Sequence, residues 1–375
     1  MRTVDVVVIG AGQAGLSAGY HLRRRGFVPL DRAAPSDQTF VILDADHAPG
    51  GAWQHRWRSL RMATVNGIYE LPGMPVPPVD PELPARDVLP PYFAAYEQEF
   101  GLDVQRPVTV RRVTRNGDDP HGRLLVQTDG ETYAARFVIN ATGTWNQPYV
   151  PFVHGAATFA GRQLHVHDYV SRDEFAGKRV AIVGAGVSGV QLLDEIADVA
   201  SEVLWFTRAE PVWLDASAFD TATRVAAIAG VEERVRQGRP PGSVVSVTGM
   251  LWGPWAQSAE RKGVLHARPM FIAIEPRGVL TPHGVLHEVD VILWATGFRA
   301  AIAHLSPLRL RTPEGGIRVA NGRSVDEPRL FLIGYGPSQS TVGANRAGRD
   351  AVRDIVGRAP GKAATDAYAI VGATV

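Results

Sequence analysis

The stretch Val4-Asp5-Val6-Val7-Val8-Ile9-Gly10-Ala11-Gly12-Gln13-Ala14-Gly15 decides the fold. Val4 to Ile9 is a nearly continuous apolar run rich in β-branched residues, the pattern of a strand buried on both faces of a parallel sheet. Gly10 ends it. Gln13 to Arg25 then carries Leu16, Tyr20 and Leu22 at near-helical spacing, closes on Arg23, Arg24 and Arg25 and stops at Gly26, a favourable helix ending. In such a strand, turn and helix the glycine spacing has a physical sense. Gly10 permits the turn, Gly12 lets a diphosphate approach the backbone, and Gly15 lets helix and strand pack closely, with Gln13 and Ala14 at the helix N-terminus that faces the phosphates. An acid ending the next strand would hold a ribose hydroxyl pair. That strand reads Thr39 to Asp44, and Asp44 supplies the carboxylate, its distance from Gly10 stretched by the Pro- and turn-rich loop 27–38.

The same unit recurs about 174 residues further on. Val180 to Val183 reads as a strand, Gly184-Ala185-Gly186-Val187-Ser188-Gly189 as the turn, Val190 to Val199 as the helix and Val203 to Phe206 as the next strand. Gly184, Gly186, Ser188 and Gly189 repeat the first motif's logic. The following strand ends not in an acid but in Thr207 and Arg208; an acid there would repel a 2′-phosphate, whereas a guanidinium binds it with paired hydrogen bonds. NADPH is therefore expected over NADH, an exposed strand-end charge being the structural alternative for Arg208. Two such units in one chain imply two dinucleotides, and hydride transfer from a nicotinamide to a flavin is the economical reason to hold both.

Composition narrows the remaining classes. The chain has 375 residues, enough for more than one core, and 45% hydrophobic with 21% charged side chains is the balance of a globular protein rather than a disordered one. With 39 basic against 38 acidic residues and no long Lys/Arg run, nucleic acid is not an expected partner. Cysteine is absent, which removes thiolate metal sites, cysteine nucleophiles and dithiol flavoenzyme chemistry together. No metal site is expected, since the histidines form no HExxH and the His165/His167 pair has no evident third ligand. The N-terminus enters a strand at once and no apolar run is long enough to span a bilayer, so no membrane partner and a cytoplasmic location are the expectations.

Elsewhere the patterning is uneven. Residues 71–91 hold so many prolines that regular structure is expected only near their ends, with a helix from Tyr92 to Phe100 after them. Val108 to Val113, Arg123 to Thr128 and Tyr133 to Asn140 suggest a meander, and Val289 to Trp294 and Leu330 to Ile333 are strand-like. From Val231 to Val264 periodicity is poor.

Between the glycine motifs stands Phe159-Ala160-Gly161-Arg162-Gln163-Leu164-His165-Val166-His167-Asp168-Tyr169. It resembles the FxGxxxHxxx(Y) fingerprint of the flavin-containing monooxygenase superfamily, the class B flavoprotein monooxygenases, at Phe159, Gly161, His165 and Tyr169. The whole chain is similar to that superfamily, especially its short bacterial and Baeyer–Villiger-like members. The resemblance implies an α/β fold of two Rossmann-like dinucleotide-binding domains with parallel three-layer sheets, arranged like glutathione reductase: FAD-binding at 1–160 and 290–375, NADP-binding at 161–289. Gly50-Gly51-Ala52-Trp53 resembles the family's GGxW, which would bring Gly51 and Trp53 close to the flavin; a core Trp53 is the alternative. Ala141-Thr142-Gly143 and Ala295-Thr296-Gly297-Phe298 resemble the two ATG strand ends where the chain passes between domains, so Thr142, Gly143, Thr296 and Gly297 would lie beside the cofactors. Val110 matches the TTVxxV strand that touches the adenine through its backbone, and Gly334 opens the final flavin-binding turn.

Two residues are expected to be catalytic. Asn66, in Ala63-Thr64-Val65-Asn66-Gly67, is an approximate counterpart of the family's active-site Asn, although Asn-Gly is also an ordinary turn pair. His165 is the fingerprint histidine, whose role in such proteins couples NADP binding to the flavin; taken alone, it reads as a packing residue. Gly334-Tyr335-Gly336 replaces the usual Gly-Asp, which puts the ribityl contact in doubt, and a fingerprint ending at Tyr169 rather than in the Trp/Pro form favours heteroatom oxygenation.

The resemblance thus implies an NADPH-dependent FAD monooxygenase that forms a C4a-(hydro)peroxyflavin from O₂ and oxygenates a small-molecule sulfide or amine, or a ketone by Baeyer–Villiger insertion. A homodimer is compatible with this. The rival readings are an NAD(P)H oxidase or flavin-dependent reductase, and a non-catalytic FAD/NADP-binding sensor.

Overall fold

A computed structural model of the chain describes residues 1–65, 68–117, 119, 122–214, 221–242 and 249–358. The apolar run at the start is the strand Arg2–Ile9, at the centre of a sheet that has nine strands among the described residues. It pairs in parallel with Thr39–Leu43 on one side and Thr132–Asn140 on the other, and Leu330–Leu332 adds to the far edge of Thr132–Asn140. Val6 and Val8 face the helices Gln13–Arg24, Ala85–Glu99 and Thr341–Arg358. Val7 and Ile9 lie on the other face, in one core with residues of Val110–Arg115 and Leu124–Thr128, which extend from Thr132–Asn140 as an antiparallel meander, and of the segment Ala303–Leu308. Burial on both faces is why alternation is missing from Val4 to Ile9: each valine there removes a side chain from water, about 1.5–3 kcal/mol apiece.

The second sheet is parallel throughout, in the order Ala267–Pro269, Glu202–Thr207, Arg179–Val183, Val291–Trp294, Arg162–His165. Arg179–Val183 is again central and again runs into a glycine turn and a helix, Val187–Ile196. Val291–Trp294 belongs to this sheet, pairing with Arg179–Val183 and Arg162–His165. A boundary at 289/290 therefore cuts one strand too early, because strand membership is fixed by a pairing partner more than a hundred positions away.

Two further elements differ from expectation. The helix Ala85–Glu99 starts inside the proline-rich segment and runs through Pro90 and Pro91. Each proline removes a backbone donor and crowds the carbonyl four residues back, a penalty near 3 kcal/mol in a helix interior. Burial of Ala85, Leu89, Tyr92, Phe93 and Tyr96 along one side of the helix offsets it. The helix Thr221–Arg236 runs into the poorly patterned stretch and the helix Pro254–Arg261 lies inside it. Val235 of the former is buried in the core of the first sheet, and Ala256 and Ala259 of the latter pack against the second. No helix among the described residues is long and apolar enough to cross a membrane, and none of their acidic and histidine side chains cluster as a metal site would.

Candidate active site between two dinucleotide cradles

Each central strand delivers its chain into the same turn. At Gly10 φ is +99°, and a Cβ there would stand 2.7 Å from the Ala141 carbonyl oxygen. A Cβ on Gly15 would stand 1.9 Å from the Gly10 carbonyl oxygen, so only glycine lets the helix press on the turn. Gly12 is the opposite case: its backbone is extended and a Cβ would meet nothing within 4 Å. Gly143, in the segment just after Thr132–Asn140, faces equally open space. The helix that begins at Gln13 has no acidic residue in its first turn and no side-chain cap, which leaves its N–H groups for an anion. A diphosphate fits this cradle by charge and by room.

Asp44 braces the turn. It is buried, with Oδ2 accepting from the Ala11 N–H at 2.9 Å and Oδ1 from the Asp46 N–H at 3.0 Å. Burial raises its pKa above the ordinary carboxylate value, against the pull of Arg106 nearby. Gln13, Gly51, Ala14 and Gly334 complete the surroundings. The Gln13 amide donates to Tyr69 O and Asn345 Oδ1, tying in the last helix. A Cβ on Gly51 would come within 3.0 Å of Gly12 Cα, and one on Gly334 within 4.0 Å of Ala14 Cβ and 3.7 Å of Gly143 Cα. Val110 lies two residues past Val108, whose N–H bonds Asp44 O at 2.7 Å. Tyr335 turns inward, its hydroxyl accepting from the Ile317 N–H at 3.0 Å.

The second cradle repeats the first. Gly184 has φ +128° and would place a Cβ 2.3 Å from Ala295 O; Gly189 packs on Gly184 O; Gly186 and Gly297 face open space. The helix after it likewise begins without an acidic residue in its first turn or a side-chain cap, with Ser188 in that turn. Trp205 Nε1 donates to Gly184 O at 2.9 Å and fixes the turn. Thr207 is buried where its strand ends, and Arg208 stands exposed just beyond it.

The crossing segments are bound to each other. Tyr149 N–H donates to Gly297 O (3.0 Å), Arg299 N–H to Gln147 O (2.8 Å) and Ala301 N–H to Gly143 O (3.0 Å). Thr142 Oγ1 donates to Ala301 O and Thr296 Oγ1 to Tyr149 O. Aromatic rings fill the space between: Trp145 stacks on Phe298 at 5.1 Å and on His55 at 6.2 Å, and His167 lies 4.9 Å from Trp145. The segment after Gly51 completes the bridge, since Thr64 O accepts from Gln191 of the second helix and Trp57 and Leu60 are buried in the second core. Trp53 packs against both cores.

His165 does not have the free ring nitrogen that a proton-transfer catalyst needs. Nδ1 accepts from the His167 N–H at 3.0 Å, which leaves the proton on Nε2, donated to Gly297 O at 3.0 Å. Burial lowers its pKa, keeping the ring neutral. Both ring nitrogens are thus engaged, and the side chain ties its own turn to the second ATG crossing. Asn66 lies outside the described residues. The sequence reading missed Trp145, Phe298 and Arg56. The first two had a signal, because each ATG is followed closely by an aromatic; Arg56 had none, standing among Arg58 and Arg61.

Residues 7–239 match the family described as pyridine nucleotide-disulphide oxidoreductase. A flavin-containing monooxygenase from Stenotrophomonas maltophilia is 39% identical, with a TM-score of 0.78 and coverage of 95% of this chain and 99% of its own. Indole-3-pyruvate monooxygenase YUCCA4 of Oryza sativa subsp. japonica is 25% identical over 409 residues, 95% of this chain and 89% of that protein. The oxidoreductase CzcO of Bacillus subtilis (strain 168) is 26% identical over 340 residues, 88% of this chain and 91% of that protein.

Proposed function

Because the chain belongs to the flavin-containing monooxygenases, within the pyridine nucleotide-disulphide oxidoreductase family, we propose that it holds FAD in the first cradle and NADPH in the second and oxygenates a small molecule at the junction. With no cysteine, the dithiol chemistry in the wider family's name is unavailable to it. The bound cofactors supply the redox chemistry, and the overall balance is NADPH, a proton, O₂ and substrate giving NADP⁺, water and oxygenated product.

The chain's own residues supply position and dryness. Gly12 and the helix start at Gln13 receive the FAD diphosphate, Asp44 at the neighbouring strand end is offered to the ribose, and Gly51, Trp53, Thr142, Gly143 and Gly334 surround the rest. Gly186 and the helix start at Val187 receive the NADPH diphosphate, with Ser188 beside them and Thr207 and Arg208 at the 2′-phosphate. His165 holds the Gly297 turn in register with Gly143. Trp145, Phe298 and Trp53 keep water from the place where the two rings meet. The observation that carries this reading is the pairing of the crossing segments, which ties the two cradles into one unit.

For the substrate, we infer a soft nucleophile, a sulfide or amine, as the first choice. Tyr169 is locked in the core, its hydroxyl donating to Glu195 Oε1 at 2.9 Å, in place of the Trp/Pro ending of typical Baeyer–Villiger enzymes. The test is NADPH consumption with a panel of sulfides, amines and cyclic ketones, with peroxide measured in parallel. Oxygenated product in step with NADPH supports the reading, and stoichiometric peroxide with every compound would make the protein an oxidase instead.

A further inference from the structure

Among the described residues, two arginines with buried side chains have carboxylates. Arg106 makes paired bonds to Glu97, both at 2.6 Å, and Arg329 is held by Glu327 at 2.7 and 2.9 Å. Arg56 is half-buried and differs from both. It ends the short helical turn Gly51–His55, and its guanidinium lies over the indole face of Trp145, 4.5 Å from the ring centroid, with Trp53 at 5.8 Å. Its Nε is sealed from solvent without a hydrogen-bond partner, and no carboxylate of a described residue reaches the guanidinium. Its backbone carbonyl is held by Arg86 Nη1 at 3.2 Å, so the side chain is fixed at its root. Burial pushes the guanidinium down to about 10.

A partly desolvated guanidinium without a carboxylate is costly unless an anion completes it, and its two Nη groups match a carboxylate with two parallel hydrogen bonds. The aromatic planes of Trp145 and Phe298 suit a flat apolar body attached to that carboxylate. The cofactor diphosphates are not the natural claimants, because they are drawn to the open space at Gly12 and Gly186.

We propose that Arg56 forms a carboxylate subsite at the junction, so that the protein prefers acidic, planar small molecules over their neutral counterparts. The inference rests on the junction's being the reaction site. It is a specificity determinant and takes no part in bond breaking.

The test uses FAD-loaded protein with NADP⁺ and three acid–amide pairs: benzoate and benzamide, phenylacetate and phenylacetamide, indole-3-acetate and indole-3-acetamide. Binding is read from tryptophan fluorescence and the flavin difference spectrum, with no turnover needed. At least one acid should bind tenfold or more tighter than its amide. In Arg56→Gln that preference should vanish, and in Arg56→Lys it should shrink severalfold, because lysine keeps the charge but loses the fork. Equal binding within all three pairs by the unaltered protein overturns the proposal whatever the variants do. So does an acid preference that survives in Arg56→Gln, or an Arg56→Gln protein that loses NADP⁺ affinity while keeping the preference. Flavin content and NADPH reduction, measured on the same preparation, report separately on the two-cofactor reading.

Discussion

Gly12 and Gly186 separate ligand binding from folding at the scale of one residue. Both have extended backbone, φ −79° and −112°, that any residue adopts, and neither Cβ would touch the protein. Gly12→Val is expected to fold and yet emerge without flavin. Gly186→Val is expected to keep its flavin while KM for NADPH rises at least tenfold; flavin content and steady-state kinetics read the pair, and a flavin-replete Gly12→Val protein would contradict the first cradle. Arg208→Gln removes charge-assisted bonds to a 2′-phosphate, about 2 kcal/mol or roughly thirtyfold in kcat/KM for NADPH, with little change for NADH. An unchanged ratio of the two would remove Arg208 from cofactor choice. Such residues were legible in the sequence because glycine spacing and strand-end charge are local properties. Arg56 was not, since its meaning comes from Trp145, which lies far along the chain, and from the carboxylates that fail to reach it.

Elements were legible where their periodicity was local and hidden where packing overrode it. The strands Arg2–Ile9 and Arg179–Val183 and the first helix sit where apolar patterning put them, whereas the second helix, Val187–Ile196, starts and ends three residues earlier than Val190 to Val199. The helix Ala85–Glu99 was hidden by its prolines, because the rule that proline breaks helices omits the five side chains buried along it. Pro90 packs against Gly50, where an added Cβ would stand 2.8 Å from its ring, whereas Pro91 is exposed. Pro91→Ala restores a backbone donor without disturbing that contact, and it should stabilise the protein by about 1 kcal/mol after the added freedom of the unfolded chain is counted. Chemical denaturation reads this, and a lower midpoint would mean that the proline is needed in the helix. The strand Val291–Trp294 was recognised as a strand but assigned to the wrong side of the boundary, since its pairing is non-local.

Across the whole molecule, half-buried histidines set the acid limit. Burial lowers His21 and His304 from 6.5 to about 4, and it lowers His165 as well. The unfolded chain regains ordinary histidines and so takes up protons first as pH falls; stability is full above the unfolded value and is lost from about 6.5 toward about 4. Asp44 and Glu97, raised by burial, titrate in the opposite sense closer to the carboxylate range. The midpoint of thermal unfolding should therefore fall through the upper part of that window, and a midpoint unchanged across it would contradict the histidine assignment. On the proposed reading, two cradles bound together by the crossing segments bring two redox rings into contact. Anaerobic mixing of the purified yellow protein with NADPH should fully bleach one FAD per chain, much faster than mixing with NADH, and a flavin that stays oxidised with NADPH in excess would contradict that reading.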